Sequence, residues 1–146
     1  MADSSSRVLA NRYELRSRVG ASAGTEVYLA YDRELVLTLG TGLGTAVFQD
    51  GVPMPHLELA LMPFHGKGTF QDHLGNATRR RIGNRRWSKR VLEAAEMFDA
   101  LLHFDHLYVG GGNAKKLKVD LGHRATIVDN AAGILGGIRL WDIAEI

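Results

Sequence analysis

The sequence predicts an α/β layer fold, a mixed sheet with crossover helices. Three observations carry that expectation. β-prone runs separated by glycine turns fill the first third of the chain. A clear amphipathic helix follows over 87–104. Beyond it, strand-like HLYV at 106–109 and ATIVD at 125–129 alternate with helical sequence at 131–143. Strands that alternate with helices imply parallel neighbours joined by crossovers. In such sheets, sites lie outside the carboxyl ends of the strands.

The elements can be justified in order. MADSSSR has no apolar stretch, so residues 1–10 read as a disordered lead-in rather than a signal peptide. Residues 11–33 read as a β-hairpin, with strands at 12–19 and 25–32 around a loop at Gly20–Gly24. Residues 34–146 read as the α/β domain. Within it, LVLTL (35–39), a turn at Gly40–Gly44 and TAVF (45–48) read as strand, turn, strand, and Asp50-Gly51 as a second turn. Residues 69–82 are expected to be helical, with Thr69 as N-cap and Gly83 as stop. In the next helix Val91, Leu92, Ala95, Phe98, Leu101 and Leu102 recur at three- and four-residue spacing, and Ser88 supplies half a capping box. With 146 residues, 45% of them hydrophobic and 23% charged, the chain suits one globular domain. No apolar run approaches the length of a membrane-spanning helix. The absence of cysteine removes disulfides and thiol chemistry and is compatible with a cytoplasmic location.

The net charge of +2 hides an asymmetry. Residues 79–90, RRRIGNRRWSKR, hold seven of the eighteen lysines and arginines and no acid, so the remainder carries 11 basic against 16 acidic residues, a net of −5. Such a stretch suits phosphates, polyphosphate or nucleic acid, or it is a solvated helix face, and nucleic acid is not the expected partner. Trp87 and Trp141 read as packing residues rather than base-stacking platforms.

Two glycine turns are the candidate site. Gly40, Gly42 and Gly44 let backbone amides approach an anion, and Thr41 and Thr45 add hydroxyls. Taken alone, the segment is also compatible with an ordinary hairpin loop. It is no P-loop, because no Gly-Lys-Ser/Thr follows, and no dinucleotide fingerprint, because a strand follows. Gly110, Gly111, Gly112 and Asn113 follow the 106–109 strand, where a surface without side chains suits a purine or sugar; the alternative is a tight strand-to-helix turn. Of the six histidines, only His103 and His106 have a metal-compatible spacing, and zinc there would need outside ligands. Asp99, Asp105 and Asp120 lack an evident acid–base partner and read as caps or solvated groups.

In this order and spacing, LVLTLGTGLGTAVFQDG, PHLELA, YVGGGNAKKL and TIVDNAAGILGGIRLW, spanning 35–142, resemble the C-terminal half of a ROK-family sugar kinase of the polyphosphate/ATP glucokinase branch. The resemblance implies an actin-like, ribonuclease-H-like ATPase fold. It implies that Gly40, Thr41, Gly42, Gly44 and Thr45 touch the phosphoryl donor, either ATP or polyphosphate with magnesium. It places Gly110, Gly111, Gly112 and Asn113 on the nucleotide side and Glu58 on sugar hydroxyls. The sequence departs from the family in three ways. The Asp-x-Gly-Gly-Thr loop and the aspartate base of an Asn-Asp-Ala segment do not occur in it, and Asp129-Asn130 reverses the order. Leu61 and Met62 follow Glu58 where a histidine is expected, which reads as burial. The cysteine-rich zinc loop is missing, as is usual in that branch. No catalytic residue is assigned, and a missing base removes a contribution of roughly 10²–10⁴-fold.

NRYELRSRVGASAGTEVYLAYDRE resembles instead the first hairpin of a bacterial serine/threonine protein kinase. Against its G-x-G-x-x-G-x-V loop, Gly20 and Val27 match, while Ser22 and Thr25 replace glycines. The kinase lysine and catalytic aspartates are absent. The whole reads as a chimera, natural or engineered: a hairpin that pairs with a sheet edge or covers apolar surface, joined to half of a sugar kinase. It is expected to be inactive but to keep weak ATP or polyphosphate binding at its glycine turns. A fold without any ligand and an active phosphotransferase assembled by dimerisation are the alternatives. A homodimer is expected on each reading, because half a two-lobed protein exposes the face its partner lobe covered.

Overall fold

The computed structural model describes residues 8–9, 13–30 and 32–129. The helix expected over 131–143, with Trp141, lies outside the described residues. β1 (Val8–Leu9), β2 (Tyr13–Ser22) and β3 (Thr25–Ala30) form an antiparallel three-stranded sheet of their own. β1 falls within the stretch read as lead-in. The loop expected at Gly20–Gly24 is tighter: pairing continues through Gly20↔Val27, Ala21↔Glu26 and Ser22↔Thr25, leaving only Ala23 and Gly24 to turn. Gly24 takes φ 79°, a left-handed conformation that glycine adopts without steric cost. Gly20 and Ser22 are therefore strand residues. Among the described residues, this sheet does not extend the second one by strand pairing.

The second sheet runs β6-β5-β4-β7-β8. Its strands are β4 (Arg33–Leu39), β5 (Leu43–Gln49), β6 (Val52–Pro53), β7 (His106–Gly110) and β8 (Ala125–Ile127). β4 pairs antiparallel with β5 but parallel with β7, and β7 is parallel to β8. Asp50 and Gly51 make the β5–β6 turn with two positive φ values, 53° and 76°, as an Asp-Gly hairpin favours. β4 alternates: Leu35, Leu37 and Leu39 are fully buried, while Thr38 faces solvent. One face of this sheet thus carries the core, where strand alternation puts it.

The helices cover that face. α1 (Phe70–Leu74) and α2 (Asn76–Ile82) replace the single helix expected over 69–82. The break is at Gly75, where a Cβ would lie 2.8 Å from the Thr41 carbonyl and 2.9 Å from that of Gln71. Thr69 caps α1 as expected. Its hydroxyl accepts from the Asp72 amide while the Asp72 carboxylate accepts from the Thr69 amide, a reciprocal capping box. Gly83, at φ 82°, separates α2 from α3 (Asn84–Leu102). Ser88 is not a cap; it is buried inside α3, donating to the Asn84 carbonyl and accepting from the Lys118 amide. Val91, Ala95 and Phe98 are buried as the periodicity predicts, together with Trp87 and Ala94, whereas Leu101 is exposed. Trp87 donates to the Leu74 carbonyl and so pins α3 to α1. Among the described residues, no helix is long and apolar enough to cross a membrane.

Thr69→Ala is expected to lower the unfolding free energy by about 1 kcal/mol in urea titrations, the usual worth of a side-chain cap. The bonds from Thr69 and, secondarily, the neighbouring His73 hold the Asp72 carboxyl below its ordinary pKa of 3.8. A depressed carboxylate stabilises the fold above its unfolded pKa. That contribution is expected to vanish as pH falls below 3.8, and Asp72→Asn is expected to flatten the acid limb of a stability–pH curve.

Candidate functional site

The parallel pairing of β4 with β7 decides the site. Thr38 lies opposite Gly110, so the glycine turns that follow each strand emerge side by side at the carboxyl edge. Gly111 closes the junction at φ 89°, and a Cβ there would lie 2.4 Å from the Leu39 carbonyl oxygen and 2.7 Å from its amide nitrogen. Only glycine lets the two backbones approach so closely. The Asn113 amide donates to that same Leu39 carbonyl at 2.9 Å.

The Asn113 side chain, 5% exposed, completes the joint. Its Nδ2 donates to the Gly40 carbonyl at 3.0 Å and to Asn76 Oδ1 at 3.3 Å, and its Oδ1 accepts from Lys116 Nζ at 3.1 Å. Asn76 Oδ1 also accepts from Arg79 Nε at 3.2 Å and from its Nη2 at 2.9 Å, and Arg79 Nη1 reaches Asn84 Oδ1 at 2.7 Å. A continuous chain from Lys116 through Asn113, Asn76 and Arg79 to Asn84 ties both turns to α2 and α3. Both ends of the Asn113 amide are thus committed to protein partners. In that way it positions the turns. Asn76 and Arg79 were not singled out from sequence, since an asparagine and an arginine in a basic helix carry no motif.

The remaining turn residues separate into two groups. Gly40 has nothing within 4 Å of a would-be Cβ, so its surface is open, and its own amide is turned in to the Gly42 carbonyl at 3.1 Å. Gly42 lies against the Gln71 side chain, and Thr41 is exposed with its carbonyl accepting from the Asn76 amide. Gly44, expected in the turn, is a strand residue instead, paired with Thr38, and Thr45 lies in the strand as expected, paired with Leu37. Thr45 Oγ1 donates to the Leu57 carbonyl at 3.3 Å. That bond links β5 to the segment holding Glu58, whose carboxylate pairs with His56 Nε2 at 2.6 Å. Leu61 is 57% exposed, against the burial expected of it; Met62 packs on the core.

Several other candidates resolve into structural roles. Asp99 forms a two-pronged pair with Arg124, whose Nη1 also donates to the Phe104 carbonyl. Asp105 is buried and accepts from the Arg33 amide, and Asp120 accepts from the Gly122 amide. His103 ends α3 in a left-handed conformation, while His106 bonds Thr126. Among the described residues, no group of three or more His, Asp or Glu side chains is gathered as a metal site. A cavity of about 220 Å³ lies at the amino ends of β7 and β8, lined by Leu107, Ala125, Phe104, His123 and Arg124. It is on the opposite edge of the sheet from the glycine turns. Its arginine is already neutralised by Asp99. On the open sheet face, burial and then the neighbouring Glu34 push the Tyr108 hydroxyl above its ordinary pKa of 10.0.

The structure is similar to the inorganic polyphosphate/ATP-glucomannokinase of Arthrobacter sp. strain KM, at 27% identity with a TM-score of 0.59. The match covers 67% of this chain and 40% of that one, so the chain corresponds to less than half the length of that enzyme. It is also similar to a candidate sugar kinase from Cytophaga hutchinsonii ATCC 33406, at 12% identity with a TM-score of 0.48, covering 58% of this chain and 43% of that one. No protein-family model and no curated protein matches the sequence. The domain built on the five-stranded sheet therefore has the mixed α/β, actin-like fold of sugar kinases.

Gly111→Ala is expected to cost about 3–5 kcal/mol, from the Leu39 clash together with a left-handed backbone. Asn113→Ala is expected to cost about 1–3 kcal/mol by leaving the Gly40 carbonyl and Asn76 short of a donor. Chemical denaturation measures both.

Proposed function

We propose that the chain is a noncatalytic phosphate-binding half-site on a sugar-kinase scaffold, which takes the phosphates of magnesium–ATP or of polyphosphate at residues 40–45, the β4–β5 turn and the first residues of β5. The observation that supports it most is the side-by-side emergence of the two glycine turns, with open space before Gly40. A phosphate chain fits such a surface because no side chain stands before it, and Thr41 adds an exposed hydroxyl. Magnesium, arriving with the phosphates, would neutralise part of their charge.

Catalysis is no part of this reading. A kinase needs a base within reach of the acceptor hydroxyl. Asp129 faces outward and pairs with Lys115 at 3.3 Å, and Glu58 is held by His56. The chimera belongs to the same proposal: the separate β1–β3 sheet supports a unit distinct from the α/β domain. So does a homodimer, for which Val52, Leu57 and Leu61, all exposed and flanking β5, offer apolar surface. Sedimentation that stays monomeric at high concentration would remove the dimer from the proposal.

The test is a thermal-shift titration with magnesium–ATP and with polyphosphate, each with and without glucose. A ligand that binds only the native state raises Tm by mass action. A dose-dependent rise is expected for at least one donor. Gly40→Val enters open space, so it is expected to melt like the parent and yet lose the shift. Absence of any shift at millimolar donor, or a shift that survives Gly40→Val, would sink the proposal. Glucose-dependent turnover would overturn its noncatalytic half.

A further inference from the structure

The basic segment 79–90 is divided by the fold. Arg79 and Arg90 are half-buried and engaged, Arg79 with Asn76 and Asn84, Arg90 with His73 Nδ1 at 2.9 Å. Trp87 and Ser88 are fully buried. What remains is Arg80 and Arg81 at the end of α2, and Arg85, Arg86 and Lys89 at the start of α3, all exposed. Among the described residues, none of these five pairs with a carboxylate.

At the start of α3 this arrangement opposes the stability of the helix, whereas Arg80 and Arg81 lie in the last turn of α2, where cations suit the dipole. Arg85 and Lys89, and likewise Arg86 and Arg90, are like charges four residues apart, each pair destabilising by roughly 0.2–0.5 kcal/mol. Arg85 and Arg86 also sit in the first turn of a 19-residue helix, with no acid there, where the helix dipole already presents positive charge. A surface that costs the fold stability and has no internal counter-charge suits an external polyanion. Its chemistry narrows the choice. The segment exposes no large apolar side chain, which disfavours insertion into a lipid surface. Its aromatic ring is buried, with the indole N–H bound to Leu74, so nothing is available to stack on unpaired bases.

We propose that the α2–α3 corner is a docking surface for the phosphate backbone of double-stranded nucleic acid, bound without regard to sequence. Arg80, Arg81, Arg85, Arg86 and Lys89 contact phosphates across the Gly83 bend. The surface is independent of the donor site, because its residues belong to neither glycine turn.

Fluorescence anisotropy with a labelled 20-base-pair duplex of mixed sequence, titrated with the full chain, tests this. With three to five phosphates neutralised, the slope of log K against log salt is expected to lie between about −2.7 and −4.5, a roughly 40- to 500-fold loss from 50 to 200 mM salt. The variant R80Q/R81Q/R85Q/R86Q/K89Q is expected to lose at least about tenfold in affinity at low salt and most of that slope. Its Tm is expected to equal or exceed the parent's, since repulsion is relieved. The proposal is overturned if the duplex does not bind at 50 mM salt, or if the variant binds as the parent does. It is also overturned if polyphosphate, single strands or anionic vesicles bind at matched charge more tightly than the duplex. A lower Tm in the variant would refute the claim that these cations oppose the fold.

Discussion

The described α/β domain depends on a backbone contact only glycine permits: Gly111 seated against Leu39. Leu39 ends β4 and Gly111 follows β7, so their contact locks the carboxyl edge of the parallel pair. The Asn113 amide then takes the Leu39 carbonyl, and its side chain takes the Gly40 carbonyl. From there the bonds pass to Asn76 and Arg79, bringing α2 against the turn, with Gly75 allowing the Thr41 carbonyl to approach. Each step presupposes the one before it. A side chain at position 111 would push β7 away from β4, and the Asn113 bonds would lengthen with it.

Much of this was legible in the sequence, because alternation and punctuation are local. LVLTL alternates in the structure as it does in the string, Thr69 and Gly83 bound the helical stretch they were expected to bound, and Asp50-Gly51 turns the chain. The misreadings share a cause, which is that tertiary contact decided the local geometry. Gly44 reads as turn, yet ladder pairing with Thr38 draws it into β5. Gly75 stands in a stretch that reads as helix, and the break there becomes intelligible only when the Thr41 carbonyl is seen beside it. Ser88 reads as a cap because serine favours caps, but helix α3 starts at Asn84 and buries it.

The candidate site was legible as a place and illegible as a mechanism. Glycine clusters after two strands indicated the sheet edge, and the β4–β7 pairing brings them together as an α/β crossover allows. What no spacing could convey is that the glycines have different physical reasons. Gly111 is required by a backbone in contact and by its left-handed conformation; Gly40 has neither restriction. A motif of identical letters therefore mixes architecture with whatever faces solvent. The same holds for Asn113. As a residue after a glycine run it suggests a ligand contact, and the structure adds that both ends of its amide bond protein partners, the Gly40 carbonyl among them.

The charges follow a parallel logic. In this domain the buried or half-buried ions are answered: Arg124 by Asp99, Arg79 by two asparagines, Asp105 by the Arg33 amide. Among the described residues, five cations without a carboxylate partner gather at the α2–α3 corner, on the side of these helices that the core does not use. Arg79 marks the division. It points inward and holds the turn network, while its neighbours Arg80 and Arg81 point out. The basic run is therefore two populations produced by helical periodicity, one that holds the glycine turns in register and one that meets solvent. Because helix α2 carries Arg79 as well as Arg80 and Arg81, part of the charge at the corner and the geometry of the turns share one seven-residue helix.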